Sequence, residues 1–522
     1  MYYINTATDK PDACELKATL EILMRRGIRV DNVQKAYDYF TKTVEGTAVE
    51  LKDEYGIDNP NSTKQIEYYL SNCDDADIYE VCYQNGKWTS NKEALETLKQ
   101  KGYRFAELLM QYRKSKKLAD AAKSLMSLSD SNGCVHPLVS LTKTNRISYA
   151  SPALMNIPKK LLWDVVTSYK PGNKLWSADI KNQEPSILIN IIGADELKPA
   201  LNSKSGLYEY MFNKCFRPYT TCTLLIMNGC KAREVPYDEL KENTQIPMSL
   251  YSKCRPECPM TYACDEGEFD ILGISNMIVT SPVGEKPVMP KTAYIETTGG
   301  AFRVPVKWEK IPDKACSKVG KTSVIGYIDE TVHPVCEGVY RKEFKTAWNA
   351  MTYGSSKFGI QAVCKHIDGS KVYDFFHKIP EMKRYQSIWK KEASLGHNSN
   401  KSLFGSVLYT DETDPRRLAR VLMDLPIQGT GADILSLLVR HFNEEVSSRD
   451  IADKLMIYYT RHDEIIMEVD ADWQQEVGDE EVERIIRDIL EHQVNNWEPF
   501  RLEVSQVHGE FGDLLNGADD EE

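Results

Sequence analysis

Apolar positions recur at helical spacing from residue 15 to 53, broken by the turn RGIRVDN, and again over the longer run 92–128. SYASPALMNIPKK (148–160) carries two prolines and reads as a loop. KLWSADI (174–180) reads as a strand. EPSILINIIG after it reads as a short buried helix with Pro185 in the first turn, where proline is tolerated. From about 215 to 335 the helical period is lost. The chain there is rich in Pro, Gly, Thr, Val and Cys, with hairpin-like runs such as SNMIVTSPVGEKPVMPKTAYIETTGGAFRVPVKW. Helical spacing returns in VYRKEFKTAWNAMTYGSSKFG, KRYQSIWKKEASLGH and TGADILSLLVRHF. LMIYYTRHDEIIMEVD (455–470) then places two apolar runs around a short polar joint, a β-hairpin signature. The pattern predicts an α+β, multi-domain chain with a β-rich stretch in its middle and an acidic disordered tail at 516–522.

At 522 residues the chain is too long for one ordinary core. No apolar run approaches the roughly 18–20 residues of a membrane span, and the start lacks the basic and apolar regions of a secretory signal. Thirteen cysteines without small-domain disulfide spacing fit a reducing cytoplasm. The net charge of −12 argues against a nucleic-acid binder. That argument is weak, because phosphate contacts depend on potential within a Debye length of about 8–10 Å.

Three places carry candidate chemistry. The RHDE joint puts Asp463 and Glu464 at a hairpin tip, where they stay ionised between buried strands; an ordinary turn, which Asp favours, reads the same way. Asp179 lies where a strand gives way to a helix, near backbone N–H groups and a positive helix end. Two hard-oxygen ligands from separate strands suit Mg²⁺, which takes its remaining ligands from water and substrate phosphates. Two such ions about 3.5–4 Å apart would stabilise both the attacking and leaving oxygens of an in-line phosphoryl displacement. Arg341, Lys345, Asn349 and Tyr353 recur every four residues and form one stripe. Such a stripe accommodates a triphosphate along the helix with the base at the tyrosine; it is also what a solvated basic face ending in a core tyrosine looks like. KGYRFAELLMQYRKSKK (101–117), with six Lys or Arg in seventeen residues, reads alone as a solvated helix face.

Together these stretches resemble the polymerase core of the family A DNA polymerases. SADIKNQEPSILINIIGADELKPAL resembles the first palm motif, RKEFKTAWNAMTYGSSKFG the fingers helix with its Arg-x3-Lys-x7-Tyr-Gly pattern, DLPIQGTGADILSLL the palm helix, and RHDEIIMEV the last motif. NPNSTKQIEYYL, QYRKSKKL and TNRISYASPALMNIP resemble the thumb and the lead into the palm, in family order. The resemblance implies a right-hand fold: a lead at 1–14, thumb and lead-in at 15–160, palm at 161–214 and 413–515, fingers at 336–412, and a β-rich insertion in the fingers at 215–335. It implies two Mg²⁺ ions (Mn²⁺ substituting) held by Asp179, Asp463 and the Ile180 carbonyl. Arg341 and Lys345 would bind the β- and γ-phosphates, with Lys345 also protonating the leaving pyrophosphate. Tyr353 would stack under the nascent pair, Glu184 would exclude a 2′-hydroxyl, and Gln183 and Asn349 would complete the dNTP site. Arg146, Arg420 and Gln428 would follow the minor groove of primer-template DNA, His462 and Glu464 would sit near the primer terminus, and Arg113 and Lys117 would grip phosphates.

The chain departs from the family pattern in places. Asn349 stands where an aromatic residue usually faces the sugar, Asn145 replaces the glycine of Thr-Gly-Arg, Ser186 stands where Arg is frequent, Asp424 replaces an asparagine, and SLFGSVLY replaces a Gly-Arg-Arg-Arg segment. There is no room before the thumb for a proofreading exonuclease. Cys254, Cys258 and Cys264 fit structural zinc poorly, and the insertion is a candidate surface for template or a replication partner. Two other readings share this fold: a single-subunit RNA polymerase, which Glu184 and the HDE triplet disfavour, and an inactive DNA-binding accessory subunit, which the retained Asp179, Asp463, Arg341 and Lys345 disfavour.

Overall fold

The chain forms two compact units. The first comprises Met1–Gln183, Lys401–Tyr409 and Gln428–Glu522; the second comprises Glu184–Asn400 and Thr410–Ile427. The computed structural model describes all residues except 85, 204–205, 218–220, 229–258, 265–266, 276, 313–316, 329–330 and 508–522, so the expected acidic tail lies outside the described residues.

In the first unit, the amphipathic runs become the helices Ala13–Arg26, Val33–Tyr55, Lys92–Gln100 and Arg104–Leu128. Asp12 caps the first of these, its carboxylate accepting from the N–H groups of Cys14 and Glu15 at 2.8 and 3.1 Å. Val33–Tyr55 packs along Arg104–Leu128. Leu51, Ile66, Leu70, Leu95, Phe105 and Leu109 fill the core at one end, each worth about 1.5–3 kcal/mol when fully buried. The N-terminal lead is no loose tail. Tyr2–Ile4 pairs in parallel with His492–Val494, Ile4 is fully buried, and the Tyr2 ring stacks on His441 at 3.8 Å.

The largest sheet described in this unit has four strands, ordered Leu455–Arg461, Glu464–Val469, Lys174–Ile180 and Leu502–Val507, antiparallel throughout. Glu464–Val469 is buried at all six positions, which explains why its sequence is nearly continuous in apolar residues rather than alternating. The deeper of its two charges, Glu468, is fully buried and satisfied three times: by Arg26 at 2.7 Å, by the Lys170 N–H at 2.8 Å and by Asn173 Nδ2 at 3.0 Å. The register sets Asp179 between Glu464 on one neighbouring strand and Glu503 on the other.

The second unit contains the helices Leu207–Phe216, Gly338–Thr352, Gly369–His377 and Pro380–Ser394. Phe212, Phe344, Trp348 and Phe376 form one chain of ring contacts among the first three of these. The unit also contains an eight-stranded sheet, ordered 277–281, 221–228, 320–328, 300–308, 292–297, 267–274, 260–264 and 332–334. The β-rich reading of this stretch holds, but the run SNMIVTSPVGEKPVMPKTAYIETTGGAFRVPVKW is not a series of hairpins. Thr292–Thr297 and Gly300–Trp308 do form one, whereas Met277–Ser281 pairs in parallel with the distant Thr221–Asn228. Thr-Gly turn chemistry marks the hairpin locally; a non-local parallel pairing leaves no local mark.

No helix among the described residues is long and apolar enough to cross a membrane. The nine described cysteines are all free thiols.

Candidate active site

Asp179 and Asp463 reach one edge of the four-stranded sheet from adjacent strands. The Ile180 N–H donates to the Asp463 carbonyl at 3.4 Å, which ties the end of one strand to the hairpin turn of the other. His462, the first turn residue, sits at φ 55°, so the reversal takes only two residues and Asp463 stays next to the strand. Burial first, and then the charges of Asp463 and Glu464, push the Asp179 carboxyl up to about 6. An acid raised in this way, with crowded anionic neighbours, is a site that gains from a cation. Among the described residues, no group of three or more His, Cys, Asp or Glu side chains is arranged around one metal position. The carboxylates of Asp179 and Asp463 are hard oxygens of the kind that would suit Mg²⁺ completed by water and substrate oxygens.

Glu464 is not at an exposed tip. It is 4 % exposed, directed into the sheet, where it accepts from the Ser177 hydroxyl and pairs with Lys159 at 2.8 Å. Pairing with Asp179 across the strand places it inside the sheet rather than in the turn. Lys159 also lies 4.0 Å from Asp179, and its ammonium sits 4.5 Å above the Trp163 ring. Sequence reasoning missed Lys159, Ser177 and Trp163. The helix Lys159–Val165 starts inside what reads as a loop, and Pro158 immediately before it was the available signal.

Arg146 lies close enough to His462 that its charge, after burial and Arg461, holds the imidazole below its ordinary range. It follows a turn in which Asn145 adopts φ 60° and donates its N–H to the Thr142 carbonyl at 3.0 Å. Asparagine is among the few non-glycine residues that accept this conformation, so it replaces the family's glycine at small cost. Gln183 is 3 % exposed and its Nε2 has no hydrogen-bond partner, a buried donor awaiting an acceptor. Gln428 is half-buried and Arg420 exposed on the helix Pro415–Ser448, two turns apart. On that helix Gly429 is required by close packing: a Cβ there would meet Leu408 Cδ1 at 2.3 Å. Of the two expected phosphate-gripping cations, Lys117 is exposed, whereas Arg113 turns its guanidinium to the Ser90 carbonyl and hydroxyl.

In the second unit the stripe lies as its spacing requires. Arg341, Lys345 and Asn349 are exposed on one face of Gly338–Thr352, Tyr353 ends the helix half-buried, and Phe344, Ala347, Trp348 and Met351 are buried on the other face. Tyr208 was not anticipated. Its ring lies 5.7 Å from the Arg341 guanidinium and 6.0 Å from Lys345 Nζ. Burial and then the nearby Glu184 push its hydroxyl up to about 12. Tyr208 thus links Glu184 with both cations within one unit. Cys254 and Cys258 lie outside the described residues; Cys264 ends the strand Met260–Cys264.

The pattern of DNA polymerase family A matches residues 30–223 and 329–510, and the chain belongs to that family. It is a DNA-directed DNA polymerase, acting in template-directed DNA synthesis. The fold is similar to that of the POL domain of Pol1 from M. smegmatis, solved in complex with DNA primer-template and dNTP. The two share 17 % sequence identity and a TM-score of 0.60, over 94 % of this chain and 69 % of that one.

Proposed function

We propose that the chain adds dNTPs to a primer 3′ end by two-metal-ion phosphoryl transfer and does so without editing. The observation that carries this reading is the convergence of Asp179 and Asp463, with the Asp179 carboxyl raised by burial and then by its anionic neighbours. When bound, Mg²⁺, or Mn²⁺ in its place, supplies Lewis-acid stabilisation to the attacking and leaving oxygens. Asp179, Asp463 and the Ile180 carbonyl hold it. Ser177 and Lys159 fix Glu464 behind the aspartates, near the primer terminus with His462. Arg341 and Lys345 bind the β- and γ-phosphates and neutralise charge that builds in the transition state; Lys345 gives a proton to the pyrophosphate. Tyr353 stacks under the nascent pair, Asn349 faces the sugar, Gln183 donates to the nucleotide, and Glu184 excludes a 2′-hydroxyl. Arg146, Arg420 and Gln428 follow the minor groove, where acceptors are shared by A·T in either orientation, so pair shape is checked without reading sequence. Lys117 and Arg113 belong to the thumb.

The thumb spans 15–160, the palm 161–214 and 413–515, and the fingers 336–412, with 215–335 inserted. A reducing cytoplasm, a host's if the chain is phage-encoded, suits the free thiols. Primer extension with Mg²⁺ on a DNA template tests the function. Robust dNTP incorporation that stops on chelation, with a mismatched 3′ nucleotide left in place, is the expected result; chelator-resistant extension would exclude the metal mechanism. Glu184→Ala should raise ribonucleotide incorporation about 10-fold or more, the factor that about 1.4 kcal/mol of lost discrimination gives, and an unchanged dNTP/rNTP ratio would move the sugar gate elsewhere.

A further inference from the structure

The eight-stranded sheet has one buried face and one open face, and the open face has a definite chemistry. Cys222, Leu224, Ile226, Val324, Ile328, Val304, Ala293 and Ile295 point to the buried side. The register puts the intervening residues together on the other side. Lys307 lies opposite Tyr327, Arg303 opposite Tyr294, and Ile325 and Ser323 opposite Thr223 and Leu225. Ile325 and Tyr327 are 42 % and 49 % exposed. The Arg303 guanidinium lies 4.9 Å over the Tyr294 ring, and the Tyr327 hydroxyl donates to Glu309 at 2.7 Å, which anchors each ring to a charged neighbour. Lys321 and Lys307 are exposed on the same face. Glu296, half-buried beyond Tyr294, lies on the same side, and the exposed Glu268 and Asp270 follow on the next strand, toward the other end of the face.

Over the strands 292–297, 300–308 and 320–328 the face carries Arg303, Lys307 and Lys321 against Glu296 and the Glu309 that accepts from Tyr327, in a chain whose net charge is −12. A protein partner would favour an apolar centre poor in lysine. Cations spread around an exposed ring, Tyr327, and an aliphatic side chain are instead what a single nucleic-acid strand requires. Phosphates are neutralised at the edges, while bases stack on rings without sequence preference. Strands about 4.8 Å apart rising about 3.3 Å per residue make the face from Lys321 to Tyr327 about 20 Å long and some 14 Å wide over four strands, room for a few nucleotides.

We propose that the open face formed by Arg303, Lys307, Lys321, Ile325 and Tyr327 is a binding site for single-stranded DNA. The site rests on the polymerase reading only for its biological sense: a DNA polymerase handles unpaired template. Its binding is measured without dNTP or synthesis. Arg303, Lys307, Lys321, Ile325 and Tyr327 all lie among the residues that the family pattern leaves unmatched, 224–328, so the site is an addition to the family core.

The test uses the full chain with saturating unlabelled blunt hairpin duplex to fill the duplex-binding surface, and a fluorescent oligo-dT as probe. Lys307→Glu/Lys321→Glu/Arg303→Glu should weaken oligo-dT binding by more than 10-fold. It should also lower the slope of log affinity against log salt by about 2, since each phosphate contact contributes about 0.7 for a single strand. Tyr327→Ala should weaken binding about 5- to 10-fold, as about 1 kcal/mol or more of stacking predicts, with the salt slope unchanged. Far-ultraviolet circular dichroism and thermal melts check that each variant folds. Wild-type affinity and slope in a folded triple variant would overturn the proposal. Asp463→Ala separates the two readings: it should bind oligo-dT as the wild type does. If it still extends primers, the catalytic reading fails while the strand site stands.

Discussion

The molecule has two antiparallel-rich sheets that carry charge in opposite ways. In the four-stranded sheet, deep charges are buried and partnered: Glu464 by Ser177 and Lys159, Glu468 by Arg26, Lys170 and Asn173, while Asp179 and Asp463 crowd together at the ends of the strands. In the eight-stranded sheet the buried face is mostly apolar and the charges lie on the open face, Arg303 over the Tyr294 ring and Lys307 opposite the exposed Tyr327. The first arrangement is expensive in desolvation and makes sense only where geometry must be fixed. The second costs little and suits a surface that meets a mobile, variable strand.

The largest expected contrast is catalytic. Asp463→Ala should lower primer extension by at least about 10³-fold, because a metal's transition-state stabilisation is worth several kcal/mol, while primer-template affinity changes little. Val288→Ala, 91 % exposed in the second region, should leave extension at the wild-type rate. Steady-state extension on one template measures both. An Asp463→Ala enzyme that retains a tenth of its activity would end the distinction.

The two regions also differed in how far they could be read from sequence. Asp179, Asp463 and the 341–345–349 stripe were legible because each follows from a short-range rule: a strand end, a tight hairpin, a helical repeat. The partners that hold them were not. Ser177 and Lys159 meet Glu464 through strand pairing and a helix start across nearly three hundred residues, and Tyr208 reaches Arg341 and Lys345 from another helix. In the eight-stranded sheet even the pairing was hidden. Alternation identifies strands, but nothing local tells Met277–Ser281 to lie parallel to Thr221–Asn228.

A second contrast concerns stability. Lys159→Met removes the cation beside the buried Glu464 and leaves it the Ser177 hydroxyl. Breaking a buried pair on one side costs about 3–5 kcal/mol; with Lys159 itself 21 % exposed, the low end, about 3 kcal/mol, is expected in urea denaturation. Lys159→Met/Glu464→Leu should recover most of that loss. If it does not, the pair is not what the single substitution broke. In the other sheet the sensitive element is steric. Gly326 has no room for a side chain, since a Cβ would meet Trp308 at 2.4 Å and Val306 at 2.7 Å. Gly326→Val should therefore cost about 1–3 kcal/mol by overpacking, seen as a lower melting temperature. A neutral result would mean that Trp308 yields freely and that this sheet is more loosely packed than its buried face suggests.

The smallest expected effect ties the crowded edge to its cation. Asp179 carries a folded-state pKa of about 6 against an ordinary value of 3.8, so between those values the folded protein binds more protons than the unfolded chain. Stability therefore falls as pH rises through that window, and the loss is complete above about 6. A shift of this size corresponds to at most about 3 kcal/mol. With 40 % of the side chain exposed, screening reduces it to about 1 kcal/mol. Mg²⁺ bound to the ionised pair offsets that penalty, and below pH 5 protons compete with it. The rise in melting temperature on adding Mg²⁺ should accordingly be larger at pH 7.5 than at pH 5, and should disappear in Asp179→Asn. An equal rise at both pH values, or one that survives the substitution, would place the stabilising ion away from the aspartate pair and leave the four-stranded sheet without its distinguishing feature.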